Sequence, residues 1–261
     1  MNGILWNGQS AMNANQIRLD AISNNIANMA TVGYKRVDVS FKDSFKESLE
    51  RAGTPVTENG GYTGTGVIAG GLSKEFYQGV LMETGLSTDI GLEGRGMFKV
   101  ISTGGQVAYT KAGSFMVDVN GEIVNSEGDF LEVDYNQEFL NMKENGEISL
   151  RGGNFTVDKD GIITVKNGEE FMEVGKIPLY AAEGSDPYIS IGANKFLPRE
   201  GSVMDVVDDT VMHQGLLEAS NVDIGTEFSE MIVTQRAFQL GSKSIQTADE
   251  MWGMVNNLRG R

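Results

Sequence analysis

Two stretches of the chain, one near each end, carry apolar residues at the spacing of a helix face, and the long middle alternates them at the spacing of a strand. Within residues 2–32, Leu5, Met12, Leu19 and Ile26 recur every seven positions. Gly8, Asn15, Ile22 and Met29 fill a second seam that is apolar only in its later half. The spacing predicts an amphipathic helix, with Gly33 as its stop because glycine readily takes the left-handed turn that ends helices. Its polar face is rich in Asn, a poor helix former, so the apolar stripe needs a partner. Within 220–259, Ile224, Met231, Phe238, Ile245 and Trp252 repeat at seven. Phe228 and Ile232 widen that stripe early and Met251, Val255 and Leu258 widen it late, while Gln235, Ser242 and Asp249 interrupt the second seam. Ser220 with Asp223 reads as a helix-capping pair, and Arg259 and Arg261 suit the negative end of the helix dipole.

The middle, roughly 35–214, reads as β. It is punctuated by Asn59-Gly60, Asn120-Gly121, Asn145-Gly146, Asp160-Gly161 and Asn167-Gly168, dipeptides suited to two-residue hairpin turns with positive φ. Phe115 to Ile123 is echoed by Phe155 to Ile163, which predicts one hairpin design used twice. The glycine-rich stretch 52–75 reads as extended, loosely ordered chain. The expected fold class is α+β: paired N- and C-terminal coiled-coil helices with a mainly antiparallel β domain inserted between them. The expected division is a helical domain of 1–34 and 215–261, an extended linking segment of 35–75, and a β-rich outer domain of 76–214. The pattern alone leaves open that both helices pack on the β domain instead of on each other.

Composition narrows the chemistry. In 261 residues the net charge is −15, which disfavours nucleic-acid phosphates and anionic membrane surfaces. Without cysteine there is no disulfide, thiolate nucleophile or Cys-type zinc site. No window has the ~18 apolar residues of a membrane span, and the polar start does not read as a cleavable signal.

Candidate catalytic features give way to plainer readings. His213 is the sole histidine, and no Gly-x-Ser-x-Gly elbow accompanies it. The run Gly64 to Gly70 fails the spacing of a dinucleotide loop. Asp158-Lys159-Asp160-Gly161 lacks the further ligands of a calcium loop and reads as a hairpin turn. The sequence points to no enzyme, no cofactor and no metal.

Motifs at both ends carry a resemblance. Asn24-Asn25-Ile26-Ala27-Asn28, followed by Thr31-Val32-Gly33-Tyr34-Lys35, resembles the N-terminal signature of the flagellar rod and hook axial family. The stretch with Glu218, Ser220 and Asn221, then Gln235-Arg236-Ala237-Phe238, is similar to the family's C-terminal end. Gly94-Arg95-Gly96-Met97-Phe98 and Tyr109 to Phe115 resemble its β-domain motifs. Met29-Ala30 departs from the more usual Val-Asn. Length, the extended 52–75 segment and the Leu-Glu-Ala-Ser-Asn-Val stretch favour the distal-rod branch, with the proximal-rod branch next to it. The resemblance implies a self-assembling subunit of a hollow helical tube that transmits torque and conducts exported subunits. It implies other rod and hook proteins, the flagellar export apparatus and ring proteins as partners. It also implies residence in the basal body outside the inner membrane, reached without a cleaved signal. Leu5, Met12, Leu19, Ile22, Ile26, Phe228, Met231, Phe238, Ile245 and Trp252 are the expected self-assembly residues.

Overall fold

A computed structural model describes residues 2–44, 46–48, 62–64, 66–144, 150, 155–167, 170–184 and 187–259. The chain divides into two compact units, one of residues 1–27, 36–75 and 222–261, the other of residues 28–35 and 76–221.

The first unit holds the helices Asn2–Ala27 and Ile224–Arg259. The first helix ends at Ala27, short of the expected 32; Asn28 and Thr31 close a turn, and residues 28–35 join the second unit. The second helix is capped by Asp223, whose carboxylate accepts from Thr226 N at 2.7 Å, so the cap is Asp223 and not Ser220. The helices run antiparallel, with Gly8 against Ile245 and Gly241 against Met12. This register brings Asn2 level with about residue 251, and the second helix runs on to Arg259. Where an extended segment is expected, strand Val37–Asp43 pairs antiparallel with Val67–Lys74, with a bulge between Ser40 and Phe41, and this ribbon packs on the first helix. A shorter pair, Lys46–Ser48 with Tyr62–Gly64, continues it.

The second unit is antiparallel β. Its nine-stranded sheet runs from Tyr188–Gly192 through Lys195–Pro198, Val107–Thr110, Met97–Ile101, Phe130–Leu131 and Ile123–Asn125 to Phe115–Val117, with Leu179–Ala182 and Met204–Val206 branching from Met97–Ile101. A four-stranded sheet of Asp134–Tyr135, Glu170–Lys176, Ile162–Asn167 and Phe155–Val157 shares its core. Phe98, Phe115, Phe139, Phe155, Ile163 and Val174 fill that core, and each fully buried side chain of this size stabilises the fold by about 1.5–3 kcal/mol.

The expected echo is present twice. Gly121 N donates to Asp118 O at 2.9 Å and Gly161 N to Asp158 O at 3.0 Å, one at each hairpin. The turns differ from expectation in one respect. Gly121 and Gly161 have φ of +78° and +79°, but Asn120 and Asp160 do not share the positive φ, so each is a longer turn closed by a left-handed glycine. A turn with positive φ at both central residues occurs instead at Ala193 (49°) and Asn194 (54°). Asn59-Gly60, Asn145-Gly146 and Gly168 lie outside the described residues.

Candidate assembly site

The two helices of the first unit meet along small residues. Gly8, Ala14, Ala21 and Ile22 are buried on one helix, and Glu227, Thr234, Gly241 and Ala248, spaced by seven, are buried on the other. A Cβ on Gly8 would lie 2.9 Å from Ile245 Cγ1, and one on Gly241 would lie 3.0 Å from Met12 Cγ. The glycines therefore set how closely the backbones approach.

Most of the expected large apolar residues flank this seam. Leu5, Met12, Leu19, Ile26, Met231, Phe238 and Ile245 are half-buried, Ile22 is 2% exposed, and Phe228 and Trp252 are exposed. Further apolar side chains stand open beside them: Trp6, Ile17, Ile232, Val233, Leu240 and Leu258. Gln235 and Arg236 are also exposed.

One end of the helical unit is held by a polar hub. Glu227, with no exposed side-chain surface, accepts from Arg36 Nε and from Asn25 Nδ2. Arg36 also reaches Glu230 at 3.2 Å and Glu75 at 3.4 Å, while Arg18 bonds Glu230 at 3.1 Å. Burial alone would lower the Arg36 pKa, but the hydrogen bond and charge of Glu227 outweigh it and hold the guanidinium above its ordinary value. Asn25 belongs to the expected signature. Glu227 and Arg36 do not, although Glu227 begins the period of seven that continues through Thr234 and Gly241.

Asn28, Gly33, Tyr34, Glu218, Ser220 and Asn221 of the signature belong to the second unit. Gly33, at φ +67°, donates its N–H to Glu218 O at 2.8 Å, and a Cβ there would lie 2.8 Å from Ala112 N. Tyr34 is buried, and its carbonyl accepts from Asn221 N. Asn221 Nδ2 donates to Tyr77 O at 3.1 Å, and Tyr77 Oη donates to Asn221 O at 2.9 Å. Lys35 Nζ donates to Glu218 Oε1 at 2.6 Å. Asn28 accepts from Thr31, Ser220 is half-buried and Asn24 is exposed. Asn194, from the Ala193-Asn194 turn, donates to Val32 O at 2.9 Å.

The features weighed for chemistry have structural partners. His213 Nε2 lies 2.8 Å from Glu93 Oε2. Asp158 and Gly161 close a hairpin. Among the described residues no group of three His, Cys, Asp or Glu could hold a metal ion, and no helix is long and apolar enough to cross a membrane.

Comparison with known proteins gives a consistent pattern along the chain. Residues 5–35 match the flagella basal body rod protein model, residues 91–150 the flagellar hook protein FlgE/F/G D1 domain, and residues 213–258 the flagellar basal body rod FlgEFG protein C-terminal model. The chain is 34% identical to the flagellar basal-body rod protein FlgG of Borreliella burgdorferi, with 98% of each chain covered. It is also 34% identical to the FlgG of Bacillus subtilis, again with 98% of each covered. It is 30% identical to the flagellar basal-body rod protein FlgF of Caulobacter vibrioides, over 96% of this chain and 95% of that one.

Proposed function

Because this chain belongs to the flagellar basal-body rod protein family and is a FlgG-like structural subunit of the rod, we propose that its helical unit builds the distal rod as a hollow helical tube. The observation that carries this reading is the set of open apolar side chains on the helical pair. Val233, Leu240 and Leu258 are 67%, 70% and 79% exposed on one helix, and Trp6 is 66% exposed on the other. Neighbouring copies bury these side chains, and with them the half-buried stripe of Leu5, Met12, Leu19, Ile26, Met231, Phe238 and Ile245.

A contact between two different faces, repeated by a rotation that does not close, generates a helix and not a ring. In that tube the paired helices act as a coiled coil, stacked against twisting, and the β unit faces outward. Torque passes along the shaft and exported subunits pass through its bore. The export apparatus delivers the chain, and ring proteins contact its outer surface in the envelope.

Electron microscopy of basal bodies from a strain lacking the gene tests the assignment. A rod that stops short of full length, without a hook, is the expected result. Loss at an earlier stage assigns the chain to the proximal rod, the reading favoured by the similarity to FlgF. A complete rod and hook removes it from the axle.

A further inference from the structure

In the second unit two buried lysines share one buried carboxylate. The side chains of Lys35 and Glu218 are 0% exposed and that of Lys111 is 2% exposed. Glu218 Oε1 accepts from Lys35 Nζ at 2.6 Å and from Gly79 N at 2.8 Å. Lys35 Nζ also donates to Tyr77 O at 2.9 Å. Lys111 Nζ donates to Gly94 O at 2.6 Å and stands 3.6 Å from Glu218 Oε2, an oxygen with no hydrogen-bond partner. Glu218 and Lys35 are the charged groups facing Lys111.

The charges do not balance when every group is in its usual state. Lys35 and Glu218 cancel, so a protonated Lys111 leaves one surplus positive charge in a site without exposed surface. Such a charge is strongly disfavoured unless it is paired. The cluster also holds backbone together. Gly33 N donates to Glu218 O at 2.8 Å and Asn221 N to Tyr34 O at 3.4 Å, so residues 33–35 are tied to residues 218–221 around it.

We propose that Lys35, Lys111 and Glu218 form a proton-operated latch. With Lys111 neutral, the cluster is one closed ion pair; with Lys111 protonated, the surplus charge loosens the hold of residues 33–35 on residues 218–221. Burial is the main influence on the Lys111 amine; Glu218 opposes it and Lys35 adds to it, leaving a value of about 8 against 10.5 for an ordinary lysine. Between those values the unfolded chain binds the extra proton, so stability rises with pH across that window and is lowest below it.

Carbon-13 shifts of the lysine Cε atoms in the full chain read the proton directly. Lys111 is expected to titrate near pH 8. In Lys35→Met the remaining pair is Lys111 with Glu218, and the Lys111 titration moves upward by a unit or more. In parallel, Lys111→Met raises the folding equilibrium constant at pH 7 by a factor on the order of ten to a hundred, and the gain shrinks as pH approaches 10. If that variant does not fold, the Lys35→Met titration decides alone. A Lys111 that titrates in the ordinary lysine range, or whose titration is unmoved by Lys35→Met, overturns the latch. So does a Lys111→Met effect of equal size at pH 7 and pH 10, because a purely structural role is indifferent to pH.

Discussion

Asn25 Nδ2 donates to Glu227 Oε2 at 3.2 Å, joining the two helices through a buried carboxylate. The same amide exchanges two 2.9 Å hydrogen bonds with the backbone of Val37, so one side chain fixes both the second helix and the ribbon against the first helix. Glu227→Ala removes the anion and leaves Arg36 and Asn25 facing a void. The expected cost to the helical unit is about 3 kcal/mol. Urea unfolding followed by helix dichroism measures it, and an unchanged midpoint would mean that the hub does not hold the helices.

Glycines along the helices separate into two kinds. Gly8→Leu drives a side chain into Ile245 and should cost about 1–3 kcal/mol by forcing the helices apart. Gly253 has no atom near the position of a Cβ, so Gly253→Ala should stabilise its helix by about 0.5–1 kcal/mol. Thermal unfolding of the two variants should therefore move in opposite directions.

In the β unit the sharpest limit is at Gly113, where a Cβ would lie 1.7 Å from Ile90 O. Gly113→Ala pushes the connecting segment at Gly113 away from strand Ile90–Glu93, to which it is tied by a backbone hydrogen bond, Ile90 N to Gly113 O at 3.0 Å. A loss of about 3 kcal/mol or more is expected, with no soluble protein recovered as the extreme outcome. Recovery at wild-type yield with an unchanged melting temperature would contradict the packing.

Leu240→Asp separates folding from assembly. Leu240 is 70% exposed, so the isolated chain should change in stability by no more than about 0.5 kcal/mol. Incorporation into the rod, scored by complementation of motility, should fail. Normal motility would leave the exposed apolar face without its assigned role.

Acid exposes another dependence. Burial alone would raise the Asp129 carboxyl, but hydrogen bonds from Lys195 and Asn125 outweigh it and hold the group below the ordinary 3.8. The stability this lends is present above that ordinary value and is lost as pH falls through the lowered one. Lys195→Met removes the 2.5 Å bond to Asp129, and the expected loss at pH 6 is about 1.5–3 kcal/mol. The difference should shrink as pH falls below the ordinary range and through the lowered value, where the carboxylate takes up its proton.

The period of seven in both helices was legible in the sequence, but its phase was harder to read. Large apolar residues announce a seam by their hydrophobicity, so Met231, Phe238 and Ile245 stand out first. The residues the pair buries most completely include Gly241 and Ala248, which carry little hydrophobic signal and matter because their small size permits close approach. Glu227 was hidden for the opposite reason: a carboxylate reads as surface until its partners are known, and those partners lie on Asn25 and Arg36, far off in sequence. The hairpins over 115–125 and 155–165 were visible because a local rule creates them, whereas Ala193 has no turn-forming side chain and adopts positive φ within a paired ribbon. The signature residues Gly33, Glu218 and Asn221 were recognisable as a motif, but their convergence on Lys35 required the fold.

The buried hub gives the helical pair a direction. Asn25 stands near the end of the first helix and Glu227 near the start of the second, so their contact marks one end of the pair. The helices run antiparallel but differ in sequence, so turning the pair end over end does not superpose it on itself. Each copy carries an arrow that points away from Glu227.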